Sequence, residues 1–456
     1  MKLRDYQSSL SLEARKCLAN NNSIILQLTT GGGKTRIATD IVDRAVVKDI
    51  TTVFLADRKE ILSQTVKHFN KLDISCQMIT ADTKTIYKSK VYVGMVESFY
   101  RRYCKGMFNG IDIGLFIFDE AHISSYYKLI KRLEEEKKNP YIIGLTATPV
   151  ASSKNYQLKK YYKDIVCGPS TRWLIESGYL LPSVDIGNSN VLDLDVMAGE
   201  FSTESQARQF KNNDIDKKMF ALWKQHAQSR QTLCYNINIE HNESVREMFD
   251  FYGYDVAAVS SETPKDEREE ILNRYEKGNI QILCNVGILT KGYDSPGTGC
   301  IIANFSTAST SKWYQVVGRG GRPYDGLNDF ITIDMGNNIL RHGSYNDEVD
   351  WKQIFLDDKR DRNFKVKQNV KLCPVCYAYL FNIHVPQCHV CGNKIVLKEL
   401  IVLEKLIPEE LKDKDPKNMT LSELQQYAKF KGYKAGWAWN MNIANTARRQ
   451  HARQQQ

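Results

Sequence analysis

An α/β protein with two tandem, doubly wound parallel-sheet domains and a small C-terminal module is predicted from three observations. Short continuous apolar runs alternate with helical patterning, the signature of strands buried beneath helices on both faces. The alternation lapses near residue 168 and restarts near residue 227. Past residue 345 it ends, and two C-x-x-C pairs and a basic tail take its place.

In the first domain, residues 1–168, Ile24–Leu28 (IILQL), Thr52–Leu55, Lys90–Val93, Leu115–Phe118 and Tyr141–Leu145 read as strands. Arg58–Phe69 and Leu129–Lys138 read as helices between them. Residues 169–226 are mixed and polar, a partly helical linker. In the second domain, residues 227–345, Thr232–Tyr235, Asp255–Val259, Gln281–Cys284, Cys300–Ala303 and Phe330–Ile333 are the strands. Helices are expected around Glu243–Phe251 and Pro264–Lys277. Residues 346–456 form the C-terminal module: a charged stretch (Leu356–Gln368), the cysteine pairs, a helical region and the tail.

The bulk properties agree. At 456 residues the chain exceeds one compact core, so several domains are required. Hydrophobic residues at 42% and charged residues at 25% place it in the soluble globular class. No apolar run reaches the roughly 18 residues of a membrane span. The start, MKLRDYQ, lacks a secretory core, so a cytoplasmic location is expected. A net charge of +10 favours a polyanionic partner through counterion release. Of 11 cysteines, seven are scattered and read as thiols rather than disulfides.

Four segments carry chemistry. LTTGGGKT, Leu28–Thr35, follows a strand and opens a helical pattern, the context of a phosphate loop. Thr30, Gly31, Gly32 and Gly33 let backbone N–H groups approach phosphate, Lys34 reaches the terminal phosphates, and Thr35 coordinates magnesium. Leu28 stands where the full pattern has glycine. FDEAH, Phe118–His122, closes a strand: Asp119 suits the magnesium shell, and Glu120 suits activation of the attacking water. GLTATP, Gly144–Pro149, offers the Thr146 and Thr148 hydroxyls where a strand ends, and His122 is expected to contact either these threonines or the second domain. QVVGRGGRP, Gln315–Pro323, carries Arg319 and Arg322 three residues apart, on one face if helical. Such arginines stabilise charge on a transferred phosphoryl group from a neighbouring domain, whereas GRGGR alone also suits a basic RNA-binding patch.

In this order and spacing the four segments resemble the superfamily 2 helicases of the DEAH-bearing DNA group, over about residues 3–345. The resemblance implies two RecA-like domains with ATP and Mg2+ between them. It also implies that Arg4, Tyr6 and Gln7 of LRDYQ read the adenine, and that Gln315 joins the arginines at the phosphates. Gly292 and Asp294 would stand near the ATP. Nucleic-acid backbone contacts would come from LADRKEIL with Arg58, VGMVESF with Glu97 and Ser98, YNINIEHNE with Asn236, and NVGILTKGYDSP with Thr290. Lys291 stands where an acid is common and receives no role.

Cys373-Pro-Val-Cys376 and Cys388-His-Val-Cys391 are separated by 11 residues, which fits a closed structural Zn2+ site of four thiolates. Residues 431–456 carry Lys431, Lys434, Arg448, Arg449 and Arg453 and no acid. With Tyr433, Trp437 and Trp439 interleaved, this tail suits either base stacking and phosphate contact, through Lys434 and Trp437, or a helical cap on the motor. Its GYK-x-GWA sequence is similar to endings found in phage and bacterial helicases of the group.

The leading expectation is an ATP-dependent DNA helicase or translocase acting on forked or branched DNA, similar to phage branch-migration helicases. An RNA helicase is the alternative. A nucleic-acid binder with an inactive ATPase core is disfavoured by the complete set Lys34, Asp119, Glu120, Arg319 and Arg322. LRDYQ begins at residue 3, so no N-terminal nuclease domain is expected. No strand-separating pin is evident in the sequence.

Overall fold

The structure is a computed structural model. It describes residues 3–150, 157–190, 192–290, 292–293, 295–357, 370–382, 385–395, 401–402, 415–431, 433, 436–442 and 444–445. Asp294 and Lys434 therefore lie outside the described residues.

The first domain is built on a seven-stranded sheet: β1 (Ser23–Gln27), β2 (Thr52–Ala56), β3 (Gln77–Ile79), β4 (Val91–Met95), β5 (Leu115–Phe118), β6 (Tyr141–Thr146) and β7 (Asp164–Cys167). Its order is β3-β4-β2-β5-β6-β1-β7, and every pairing is parallel. The apolar runs seen in the sequence are β1, β2 and β4 to β6, within a residue or two. β1, β2 and β5 are buried along their whole length, because helices cover both faces. Each fully buried Ile, Leu or Phe contributes about 1.5–3 kcal/mol of burial. Strand order matters for chemistry: β6 lies between β1 and β5, so the loops after these three strands converge at one edge.

The second domain has six parallel strands: β8 (Ser183–Gly187) and, after a hairpin of β9 (Val196–Met197) and β10 (Glu200–Phe201), β11 (Thr232–Asn236), β12 (Val256–Val259), β13 (Ile282–Asn285), β14 (Cys300–Asn304) and β15 (Phe330–Asp334). The order is β12-β13-β11-β14-β15-β8. The expected linker is thus only partly a linker. β8 pairs with β15 from Ser183↔Phe330 to Gly187↔Asp334, so residues 183–187 belong to the second sheet. Its sequence, SVDIG, is short and interrupted by a buried acid, Asp185, which hides the strand. Two helices of the same segment, Thr203–Asn212 and Ile215–His226, pack on this domain through Phe210, Met219 and Trp223.

The helix Thr310–Val317 is N-capped by the Ser309 hydroxyl, which accepts from the Lys312 N–H at 3.1 Å. It stops at Val317, so Arg319 and Arg322 lie in the turn beyond it. The expected shared helical face is corrected accordingly, since Gly318, Gly320 and Gly321 break the helix.

After the second domain the chain returns to the first. The helix Trp351–Leu356 buries Phe355 in the first domain's core, and the Lys159 ammonium donates to the Leu356 carbonyl at 2.9 Å. Trp351 also packs edge-on against Tyr314 of the second domain, with centroids 5.6 Å apart.

The cysteine module adds β16 (Lys371–Leu372), β17 (Tyr379–Leu380) and β18 (Ile401–Val402), in the order β17-β16-β18. It is not a separate appendage. Ala378 bridges Ile186 of the edge strand β8, the Gly187 N–H donates to the Tyr377 carbonyl at 2.9 Å, and Leu372 and Tyr379 are fully buried. The helix Leu421–Lys431 forms a small cluster of its own with Met419, Leu424, Ala428 and Ala438.

Candidate ATP cleft and nucleic-acid face

A cleft of about 490 Å³ lies between the two domains. One wall is the loop from β1 to the helix Lys34–Val47, lined by Thr30, Gly31, Gly33, Lys34 and Thr35. Gly33 caps that helix at φ +95°, in the left-handed region that a side chain rarely adopts, which leaves the helix N-terminus open to an anion. Beside it the Tyr6 hydroxyl donates to the Gly32 carbonyl at 2.7 Å and the Gln7 amide to the same oxygen at 3.0 Å. Gln7 in turn accepts from the Arg4 N–H at 3.1 Å. The three LRDYQ residues therefore meet the phosphate loop, and Arg4 and Gln7 line the cleft.

Asp119 and Glu120 enter from the end of β5. Glu120 takes φ +51°, an uncommon conformation for a non-glycine residue, and its carboxylate stands 3.3 Å from His122 Nδ1. His122 Nδ1 is also 2.9 Å from the Thr146 hydroxyl, as the sequence suggested. Thr146 accepts from the Thr148 N–H at 3.1 Å, and the Thr148 hydroxyl donates to the Ser311 hydroxyl of the second domain at 2.7 Å. A continuous polar chain thus runs from Glu120 across the domain boundary.

Burial, reinforced by the charge of Glu120, pushes the Asp119 carboxyl up to about 7, although Lys34 pulls it the other way. A divalent cation is the partner such a carboxylate suits. In the metal-free protein Asp119 holds a proton below about pH 7, and Mg2+ must displace it there. The Mg2+ concentration for half-maximal ATP turnover should therefore rise about fivefold between pH 7 and pH 6, for one competing proton. Magnesium titrations of ATPase rate at the two pH values test this, and a pH-independent midpoint would exclude Asp119 as the group.

The opposite wall comes from the second domain. Arg319 and Arg322 both line the cleft, and burial lowers both guanidinium groups, Arg322 to about 10, without discharging them. Arg319 donates to the carbonyls of Thr290 and Tyr293, which ties it to the segment carrying Gly292, another lining residue. Gly318 meets the phosphate loop directly: a Cβ there would fall 2.7 Å from Thr30 Cβ. Gln315 is buried on the helix Thr310–Val317 and is not among the residues lining the cleft.

The residues expected to touch nucleic acid are less uniform. Arg58 donates to the Ile288 carbonyl at 3.1 Å, joining the two domains. Glu97 is exposed at the start of the helix Val96–Cys104, and the Ser98 carbonyl accepts from Arg102. Asn236 ends β11 but is buried, donating to Asn242 at 2.8 Å, and Thr290 is also buried. Trp437 stacks with Tyr427 and packs at a tilt against Tyr433 in the small C-terminal cluster.

The four sulfurs of Cys373, Cys376, Cys388 and Cys391 lie within 4.8 Å of one another. Thiolates about 2.3 Å from a central zinc would stand about 3.8 Å apart. Cys373–Cys391 at 3.7 Å and Cys376–Cys388 at 3.6 Å fit that geometry. The first three cysteines are buried, and the Cys376 carbonyl is bonded by His226 Nε2 at 2.9 Å.

Two family models match this chain: the type III restriction enzyme res subunit over residues 1–151, and the helicase conserved C-terminal domain over residues 211–324. Between them they span both walls of the cleft. Together they indicate a superfamily 2 helicase.

As such a helicase it is a nucleic-acid-dependent ATPase. It is 25% identical over 82% of its length to a 51.5 kDa protein of Lactococcus phage (isolate 7-9), covering 79% of that protein. It is 28% identical over 73% of its length to IRC3 of Saccharomyces cerevisiae, which carries an ATP-dependent helicase name. The chain spans about half, 51%, of that relative. The fold resembles the restriction-modification enzyme LlaBIII bound to DNA, with TM-score 0.55 and 16% identity over 79% of this chain and 30% of that one. Among the described residues no helix is long and apolar enough to cross a membrane.

Sequence reasoning missed some of this helicase's cleft. Tyr179, from the supposed linker, lines it beneath Arg4, whose guanidinium sits 4.6 Å from the ring centroid. Tyr6 and Trp173 complete the aromatic group. Nothing in the segment ESGYLLP signals a nucleotide contact, because Tyr179 reads as ordinary packing. Ser311 was equally silent, being one hydroxyl in the run STASTS.

Proposed function

We propose that this helicase is a DNA motor that unwinds or branch-migrates forked and branched DNA. The observation carrying this is the two-walled cleft. Lys34, Asp119 and Glu120 on one domain face Arg319 and Arg322 on the other, so a nucleotide can bridge both. Lys34 and the N–H groups of Gly31 to Thr35 hold the phosphates. Asp119 and Thr35 hold Mg2+, which supplies charge neutralisation at the phosphates when bound. Glu120 accepts the proton of the attacking water, while Arg319 and Arg322 stabilise the charge that develops, with Gln315 supporting them. Tyr179, Arg4 and Gln7 take the base, and Gly292 lines the cleft with the arginines.

Arg58, Glu97 and Ser98 on the first domain, and Asn236 and Thr290 on the second, supply alternating grips on one strand. Lys434 and Trp437 of the tail add a further contact. The DNA reading is supported by the restriction-subunit model, by the DNA bound to LlaBIII, and by the net charge of +10. On this reading it works in the cytoplasm, that of a host if phage-encoded.

Strand displacement on forks and four-way junctions of both tail polarities, alongside matched RNA duplexes, tests the proposal. ATP-dependent separation of branched DNA is expected. Separation of RNA alone would replace this reading with that of an RNA helicase.

A further inference from the structure

Beyond β13 the chain of the second domain runs without helix or strand, so its carbonyls need partners of another kind. Each described carbonyl from Ile288 to Tyr293 finds one on a side chain. The Tyr235 hydroxyl donates to the Leu289 carbonyl at 3.2 Å, and Arg319 donates to the carbonyls of Thr290 and Tyr293. The other two donors come from the first domain. Arg58 reaches the Ile288 carbonyl at 3.1 Å, and the Gln64 amide reaches the Gly292 carbonyl at 3.0 Å.

Arg319 takes its aim from that turn. Its guanidinium is held by the Thr290 and Tyr293 carbonyls, and Gly292 lies between them at φ +72°, in the left-handed region that favours glycine. What fixes Gly292 therefore fixes the arginine. Tyr235 belongs to the same domain as Arg319 and moves with it, whereas Arg58 and Gln64 hold the turn from across the cleft.

The two cross-cleft donors are not equivalent. Arg58 is charged, and its charge works against that of Arg319. On the proposed grip it is also needed at a nucleic-acid phosphate. Gln64 is neutral, so it can hold the turn without opposing the arginine. It shares one stripe of the helix Lys59–Asn70 with Ile61 and His68, three residues before it and four after, and all three line the cleft. β2, which leads into that helix, pairs with β5, whose end carries Asp119 and Glu120. A single neutral side chain thus joins the wall with the carboxylates to the turn that carries the arginine.

We infer that Gln64 is a positioning residue: by holding the Gly292 carbonyl from the first domain, it places Arg319 against the phosphates when the domains close. This rests on the proposed role of Arg319 in stabilising charge on the transferred phosphoryl group.

The test is steady-state ATP turnover by Gln64→Met, Arg319→Ala and the double variant, on saturating single-stranded DNA and on matched RNA. Methionine keeps the length and helix propensity of glutamine and removes the donor. Gln64 is exposed, so the substitution leaves the core intact. In Gln64→Met, kcat should fall about tenfold, the scale of one hydrogen bond lost at the transition state. The KM for ATP should stay within about twofold, since the amide acts through Arg319 and not on the nucleotide. Arg319→Ala should be slower by about 10³-fold, and adding Gln64→Met to it should change turnover by less than about twofold.

Unchanged kcat in Gln64→Met overturns the inference. So does a raised KM with kcat kept, which would make Gln64 a nucleotide contact. Losses that multiply in the double variant overturn it too, because Gln64 would then act apart from Arg319. Wild-type turnover by Arg319→Ala overturns the arginine's role and the inference together. Stimulation of wild type by RNA and not by DNA overturns the DNA reading, while the comparison of variants stands.

Discussion

Glu120→Gln should bind ATP and fail to hydrolyse it, with turnover reduced by about 10²–10⁴-fold, the range for removing a general base. The substitution keeps the size of the side chain and its place 3.3 Å from His122, so the loop at φ +51° has no new strain to relieve. On the proposed mechanism, what it removes is the group that accepts the proton from water. Lys34→Ala should act earlier. Lys34 is the cation that opposes the carboxylates, and its ammonium already rests 3.2 Å from the Leu28 carbonyl in the phosphate loop. Its loss weakens ATP binding as well as turnover. Equilibrium binding of ATP, paired with steady-state phosphate release on saturating single-stranded DNA, separates the two variants. Hydrolysis by Glu120→Gln within tenfold of wild type would sink the assignment.

Stripping zinc should unfold more than the cysteine module. Structural zinc in small peptides contributes about 10–16 kcal/mol of apparent binding energy, and zinc held here would share that energy with a motor domain. Cys373, Cys376 and Cys388 are part of the second domain's core, alongside Ile186, Trp223 and Ile333. His226 ties the knuckle to the helix Ile215–His226, and Ala378 bridges the edge strand β8. Chelation or Cys388→Ser should therefore lower the unfolding temperature of the second domain by about 10 °C or more, as a loss of a few kcal/mol does in a domain of this size. ATPase should fall with it, since Arg319 and Arg322 stand on that domain. Metal analysis should give one zinc per chain. A metal-free protein that melts like the zinc-loaded form would refute the coupling.

Much of the fold was legible because its strands are covered on both faces. Such strands need unbroken apolar runs, and IILQL, LFIF and CIIA announce themselves. The phosphate loop, the paired carboxylates and the arginine turn were legible because phosphate chemistry restricts residue type at each place. The remainder depends on partners distant in sequence. β8 carries Asp185 inside its strand, tolerable only because Ser183 and Ser344 donate to it. Tyr179 becomes a cleft residue only through Arg4, and Ser311 only through Thr148. The arginine pair read as helical because their spacing fits a helix, but three nearby glycines end it first. The cysteine module read as independent because local spacing cannot reveal that its neighbour is a sheet edge.

The return of the chain to the first domain has a mechanical consequence. A pair of bodies joined by one peptide crossing can swivel in any direction. Here there are three crossings: one leading into β8, one at the helix Trp351–Leu356, where Phe355 and Lys159 fasten the chain again, and one back to the second domain, where the cysteine module bridges β8. Several fastenings restrict how the halves can turn, so they resemble a door on its hinges rather than a weight on a string. On the proposed motor action, each nucleotide cycle would then repeat one stroke, and a repeated identical stroke is what lets small steps add up in one direction.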